Sequence, residues 1–161
     1  MSMARLCEAL AALGLADLRP LLQTGNLVFR TGRASGSSLE QRLEKEVAAR
    51  LGVRTDFFVR TLREWTTIID ANPYTAEAAR DPGHLLLIVA RDRVKPADVQ
   101  ALHGAIRGHE RVAAGERHLY AVYPDGVGRS KLTTALIEKT LGTRVTARNW
   151  NTVRKLAAAL G

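Results

Sequence analysis

Six consecutive apolar residues, Leu85-Leu86-Leu87-Ile88-Val89-Ala90, form the longest uninterrupted apolar run in this chain. The run is far shorter than the roughly 20 residues that cross a bilayer, so it reads as a buried strand and excludes a membrane span. The residues after it set the order of the second half of the fold. Pro96 opens a helix whose core side shows Val99, Leu102 and Ile106. A hairpin is expected next, with strands at Arg111 to Ala113 and Arg117 to Tyr123 joined around Gly115. A helix from Ser130 to Leu141 closes on Gly142, a strand spans Thr143 to Ala147, and a last helix carries Val153, Leu156 and Leu160. The order over residues 85–147 is βαββαβ, the split-βαβ or ferredoxin-like arrangement.

The first half repeats this order without its opening strand. A helix from Met3 to Leu13 ends at Gly14, and a hairpin comes after it with strands Arg19 to Gln23 and Asn26 to Arg30 around Thr24-Gly25. Ser37 and Ser38 precede Glu40 and Gln41 in capping-box spacing, and Leu39, Leu43, Val47 and Leu51 line one face of a second helix that stops at Gly52. A strand from Val53 to Arg60 and a short helix from Leu62 to Ala71 complete this half, before a loop punctuated by Pro73 and Pro82. The predicted fold class is therefore α+β: a tandem duplication of ferredoxin-like units, each with an extra C-terminal helix, the first strand of the first unit missing. The units are expected at residues 1–80 and 81–161.

Composition agrees with a folded chain. Of the 161 residues, 46% are hydrophobic and 25% charged, which excludes disorder and fibrous repeats. The lone Cys7 cannot form an internal disulfide, and the stretch after Arg5 is an amphipathic helix rather than a signal peptide, so a cytoplasmic setting is expected. The net charge of +8 is unevenly spread: the last 41 residues hold seven basic and two acidic side chains. A basic excess of this kind favours anionic partners such as nucleotides or nucleic acid, although a solvated basic surface has the same composition.

Two segments in that basic quarter carry chemistry. Asp125-Gly126-Val127-Gly128-Arg129-Ser130-Lys131-Leu132 lies between a strand and a helix. Its glycines let backbone N–H groups approach a ligand, Ser130 is placed to cap the helix, and Arg129 and Lys131 add positive charge, so the segment suits a phosphate. It is not a Walker loop, because Lys131 is followed by Leu132, and it also reads as a Gly-rich turn with exposed cations. Arg148-Asn149-Trp150-Asn151-Thr152 joins the last strand to the last helix. Trp150 offers a stacking plane and Arg148 a cation, while Asn149 or Asn151 serves equally as a helix cap with Trp150 as an anchor. If both strand ends face one way, Arg129, Lys131, Arg148 and Trp150 would line one groove. The polar cluster Gln23-Thr24-Gly25-Asn26 reads as hairpin-turn chemistry. His84, His103, His109 and His118 show no metal-ligand spacing, no cofactor is implied, and no residue stands out as a general acid, base or nucleophile.

With these motifs laid out, the sequence resembles the bacterial domain of unknown function 1697 family. The resemblance runs from Met3-Ala4 through Gln23-Thr24-Gly25-Asn26 and Ala71-Asn72-Pro73-Tyr74 to the two closing motifs. It implies a small α+β protein built from ferredoxin-like halves, and it implies no activity. Relatives of this kind open with a further apolar strand and a Gly-Asn-Gly-Gly-rich loop ahead of the residues matching Met3-Ala4. The chain is accordingly expected to be shortened at its start, or to fill the gap with another chain by self-association through the exposed edge.

The leading functional expectation is a binding module for a phosphate-bearing ligand, nucleotide or nucleic acid. Gly126, Gly128, Arg129, Ser130 and Lys131 would sit at the phosphate, with Arg148, Asn149, Trp150 and Asn151 beside it. A small enzyme acting on a phosphorylated metabolite, and a structural or self-association protein with no ligand, are the alternatives from other classes.

Overall fold

The computed structural model describes residues 2–21, 25–32 and 36–161. It is a mixed α+β protein with seven helices and two antiparallel sheets among those residues. The chain divides into two compact units, Met1–Trp65 with Leu156–Gly161, and Thr66–Lys155.

In the second unit the apolar run forms β3 (Leu85–Ala90), with every residue buried. It is followed by α5 (Pro96–Ala105), β4 (Arg111–Ala114), β5 (His118–Val122), α6 (Thr134–Leu141), β6 (Val145–Asn149) and the start of α7 (Trp150–Leu160). The sheet order is β4-β5-β3-β6, so β3 pairs on both edges. Alternation then sends its side chains to two different layers. Leu86, Ile88 and Ala90 pack with Leu102 of α5 and with Ile137 and Leu141 of α6. The opposite layer is tied down by polar contacts. The Tyr120 hydroxyl donates to the carbonyl of Ile68 at 2.6 Å, and Arg154 of α7 donates to the carbonyl of Ala78 at 2.7 Å. A strand covered on both faces has no use for a polar position, which is why this run does not alternate.

Side chains cover polar groups along both outer edges of this sheet. On β4, a ring nitrogen of His103 lies 3.1 Å from the carbonyl of Val112. On β6, the amide of Val145 donates to Glu138 at 2.9 Å and the carbonyl of Ala147 accepts from Arg148 at 2.8 Å. Such covers blunt the tendency of an edge to recruit another strand.

The first unit contains α1 (Met3–Ala11), β1 (Ala16–Leu21), β2 (Asn26–Arg30), α2 (Ser37–Leu51) and the start of α3 (Leu62–Asp70). Its core is Leu6, Leu10, Leu15, Leu39, Leu43 and Val47, with Leu27, Phe29, Phe57 and Val59 packed against it. β1 and β2 form a two-stranded antiparallel hairpin. Gln23 and Thr24, placed at its turn by the sequence, lie outside the described residues.

Four sequence expectations need correcting. Residues 53–60 form no strand, and side chains take two of their amides. The amide of Phe57 donates to Glu44 at 2.8 Å and that of Val59 to Glu40 at 2.7 Å. Glu40 is consequently not a capping-box partner. It is fully buried and ion-paired with Arg60 at 3.4 Å, and Gly36 occupies the N-cap position of α2. A capping box does occur at α3, where Thr61 and Glu64 exchange bonds of 2.9 and 3.1 Å. The loop between Pro73 and Pro82 contains a short helix, α4 (Thr75–Arg80). Finally, α6 starts at Thr134 with Thr133 as its cap, four residues beyond Ser130.

Removing Glu40 would leave the Arg60 charge and the Val59 amide buried with the carboxylate gone. Glu40→Ala should lower unfolding stability by about 3–5 kcal/mol, the range for breaking a buried ion pair. Glu40→Gln, which keeps an acceptor, should lose less, and urea denaturation of both variants measures the difference.

Candidate functional site

The Gly-rich segment leaves β5 at one end of the sheet and is fastened at both of its ends by Tyr123. The Tyr123 amide donates to the carbonyl of His84 at 2.8 Å, and its hydroxyl donates to the carbonyl of Leu132 at 2.9 Å. Burial pushes the Tyr123 phenol up to about 12, and burial does the same to Tyr120. Between the fastened ends the chain makes two tight turns. The amide of Gly126, at φ +90°, donates to the carbonyl of Tyr123 at 3.0 Å, and that of Ser130 to the carbonyl of Val127 at 3.2 Å. A positive φ here is a cost for any residue with a Cβ.

A second loop, residues 106–110, lies against the first. Topology requires this, because it enters β4 at the sheet end where β5 leaves. Two side-chain contacts join the loops. Ser130 Oγ donates to Glu110 Oε1 at 2.8 Å while accepting the amide of Leu132 at 3.0 Å, and His109 Nδ1 meets Asp125 Oδ2 at 2.8 Å. A Cβ at Gly108 would stand 2.6 Å from Glu110 Oε2, so a side chain at this position would displace the carboxylate from where it meets Ser130. The hydrogen bond to Asp125 raises the His109 pKa above its ordinary value, with added attraction from the Asp125 and Glu110 charges.

The surface of this loop pair is cationic and rich in backbone donors. Arg107, Arg129 and Lys131 are exposed, as is Val127 at 44% of its full area. Among the described residues, none accepts a hydrogen bond from the amides of Gly128, Arg129 or Lys131. Ser130 does not share their freedom, since its hydroxyl is committed to Glu110. No group of three or more His, Cys, Asp or Glu side chains that could hold a metal occurs among the described residues.

The second motif lies at the same sheet end. Leu85 pairs with Val122 and Leu86 with Asn149, so β5 and β6 leave β3 in the same direction, about 10 Å apart at two strand spacings. The shared groove expected from the sequence does not form. Val145 and Ala147 pack on the α5–α6 side, so the pleat turns Thr146 and Arg148 to the other face. There Arg148 donates to Thr146 Oγ1 and to the Ala147 carbonyl, both at 2.8 Å, and burial lowers its pKa. Trp150 is 2% exposed with its ring 6.3 Å from that of Tyr120, so it offers no open stacking plane. Asn149 accepts the Thr152 amide at 3.1 Å as the cap of α7, and Asn151 is exposed.

Sequence reasoning named the Gly-rich loop as a candidate site but did not name Arg107, His109 or Glu110 as site residues, and these lie beside it. The signal that could have found them was the hairpin between β4 and β5, which returns the second loop to the first. Trp150→Ala should lower stability by about 3–5 kcal/mol, the range for emptying a buried aromatic site, as measured by denaturant unfolding.

Comparison with solved structures shows the fold. The chain is similar to the conserved bacterial protein SP0830 from Streptococcus pneumoniae, with 19% identity and a TM-score of 0.77 over 100% of this chain and 89% of that one. No curated protein matches the sequence. The model of a family described as protein of unknown function (DUF1697) matches residues 1–120, and both C-terminal motifs lie beyond the matched part. On that match, the chain belongs to the DUF1697 family.

Proposed function

We propose that the paired loops bind a phosphate-bearing ligand, nucleotide or nucleic acid. The observation that carries this reading is the group of amides at Gly128, Arg129 and Lys131 with no acceptor among the described residues, set beside the exposed Arg129 and Lys131 side chains. Backbone donors of a glycine-containing turn together with cations make an anion-binding concavity. Gly126 shapes the turn, and Ser130 acts through Glu110 as a brace. Asn149 and Trp150 belong to the attachment of α7, and Arg148 to the edge of β6. A cytoplasmic setting forms part of the same proposal.

The fold reading that accompanies it is a tandem pair of ferredoxin-like halves, residues 1–80 and 81–161. Its support is the shared order of elements: α1-β1-β2-α2, followed by residues 53–60, runs in parallel with α5-β4-β5-α6-β6. On this reading β2 is the counterpart of β5, a strand with neighbours on both edges.

That correspondence favours a second reading, self-association through β2. The strand pairs only with β1 among the described residues, yet Asn26 and Val28 are buried and Leu27 and Phe29 pack on the core. An edge strand covered on both faces resembles an interior strand and presents an adhesive ladder.

The first reading is tested by fluorescence anisotropy with labelled oligonucleotides and with nucleotides. Arg129→Ala with Lys131→Ala should weaken binding at least tenfold. For a single-stranded oligonucleotide it should also flatten the salt dependence by about 0.7 per lost phosphate contact. Unchanged affinity in the double variant overturns the reading. Sedimentation velocity across a wide concentration range tests the second: growing mass with concentration is expected, and a monomer throughout refutes it.

A further inference from the structure

The contact between His109 and Asp125 bridges the two loops at the rim of the cationic surface. His109 Nδ1 lies 2.8 Å from Asp125 Oδ2, and both side chains are open to solvent, at 81% and 69% of their full areas. With the imidazole protonated, the pair is neutral overall. With it neutral, the same ring nitrogen still donates, but Asp125 then leaves a full negative charge on the loop that carries Arg129 and Lys131. We infer that this pair makes anion binding by the paired loops dependent on pH, with protonated His109 holding the bound form and neutral His109 weakening it.

The inference rests on the loop-pair reading of function. The charged groups around His109 all act in known directions. On its own loop these are Arg107, and Glu110, which is held by Ser130. On the facing loop they are Asp125, Arg129 and Lys131. On the strand that continues from its loop, Arg111 is engaged by Glu77 and the Tyr74 ring. The hydrogen bond to Asp125, with the Asp125 and Glu110 charges, raises the His109 pKa above the ordinary histidine value, so its titration lies above that of a free imidazole. Linkage gives the sign. Below that window the imidazolium cancels Asp125 and affinity is full. As pH rises through it, the site loses one positive charge and affinity falls. One unit of charge about 6 Å from a phosphate in water changes affinity about threefold, less at high salt. Reciprocally, a bound anion should raise the His109 pKa further.

The test is a pH series of binding with a fluorescein-labelled single-stranded oligodeoxynucleotide at low salt. Its phosphodiesters keep constant charge across the range, unlike a terminal phosphate monoester with a second pKa of about 6. Wild type should bind about threefold tighter at low pH than at high pH. His109→Gln should flatten that response, whereas Asp125→Asn should bind more tightly than wild type and move the response to lower pH. His84→Gln, which alters the other exposed His–Asp pair at 2.8 Å, should retain it. Binding that is flat with pH in wild type, or still pH-dependent in His109→Gln, overturns the inference and leaves the loop-pair reading standing. Absence of binding at every pH overturns both. NMR titration of the His109 ring adds a ligand-free check: Asp125→Asn should lower its midpoint, and an unchanged midpoint refutes the coupling.

Discussion

The second unit depends on the double engagement of β3. Its backbone pairs with β5 on one edge and β6 on the other, and its side chains fill both layers. Burying a Leu or Ile side chain is worth about 1.5–3 kcal/mol, so the strand is among the largest single sources of stability in the chain. The same pairing has a positional result. Because β5 and β6 are both antiparallel to β3, they deliver the Gly-rich loop and the start of α7 to one end of the sheet. The hairpin from β4 to β5 brings residues 106–110 to that end as well. The candidate site is therefore a product of sheet register, with Tyr123 fixing where the loop begins and ends.

The first unit solves a related problem with charge. Within residues 53–60, which form no strand, the amides of Phe57 and Val59 go to two carboxylates one helical turn apart on α2. Spacing of four residues places Glu40 and Glu44 on one face of the helix, which matches alternate amides of an extended chain. A buried carboxylate is costly alone, and Arg60 offsets that cost at Glu40. The apolar core of Leu6, Leu10, Leu43 and Val47 supplies the rest of the stability.

The legible part of the sequence was local. The apolar run, the Pro96 helix start, the hairpin around Gly115 and the glycine ends of α2 and α6 were all readable from nearest neighbours. The errors came from contacts between distant residues. Glu40 looked like a capping residue because its target amide lies 19 positions away. Ser130 looked like a helix cap because Glu110, its true partner, is 20 positions upstream. Arg148 and Trp150 looked accessible because their types suit a ligand, whereas the pleat of β6 sends one to an edge carbonyl and packing closes over the other. Only the tertiary fold decides which face of a strand is wet.

The side-chain covers on the second unit's sheet have a consequence for how this chain behaves when crowded. His103 on β4, and Glu138 and Arg148 on β6, occupy polar groups that another polypeptide would otherwise use. In the first unit, β2 pairs with β1 alone among the described residues. Misassembly at high concentration or on partial unfolding should then have a fixed origin along the chain. It would nucleate at the first unit, while the sheet bearing the cationic loops stays inert and keeps those loops open to solvent even inside an aggregate.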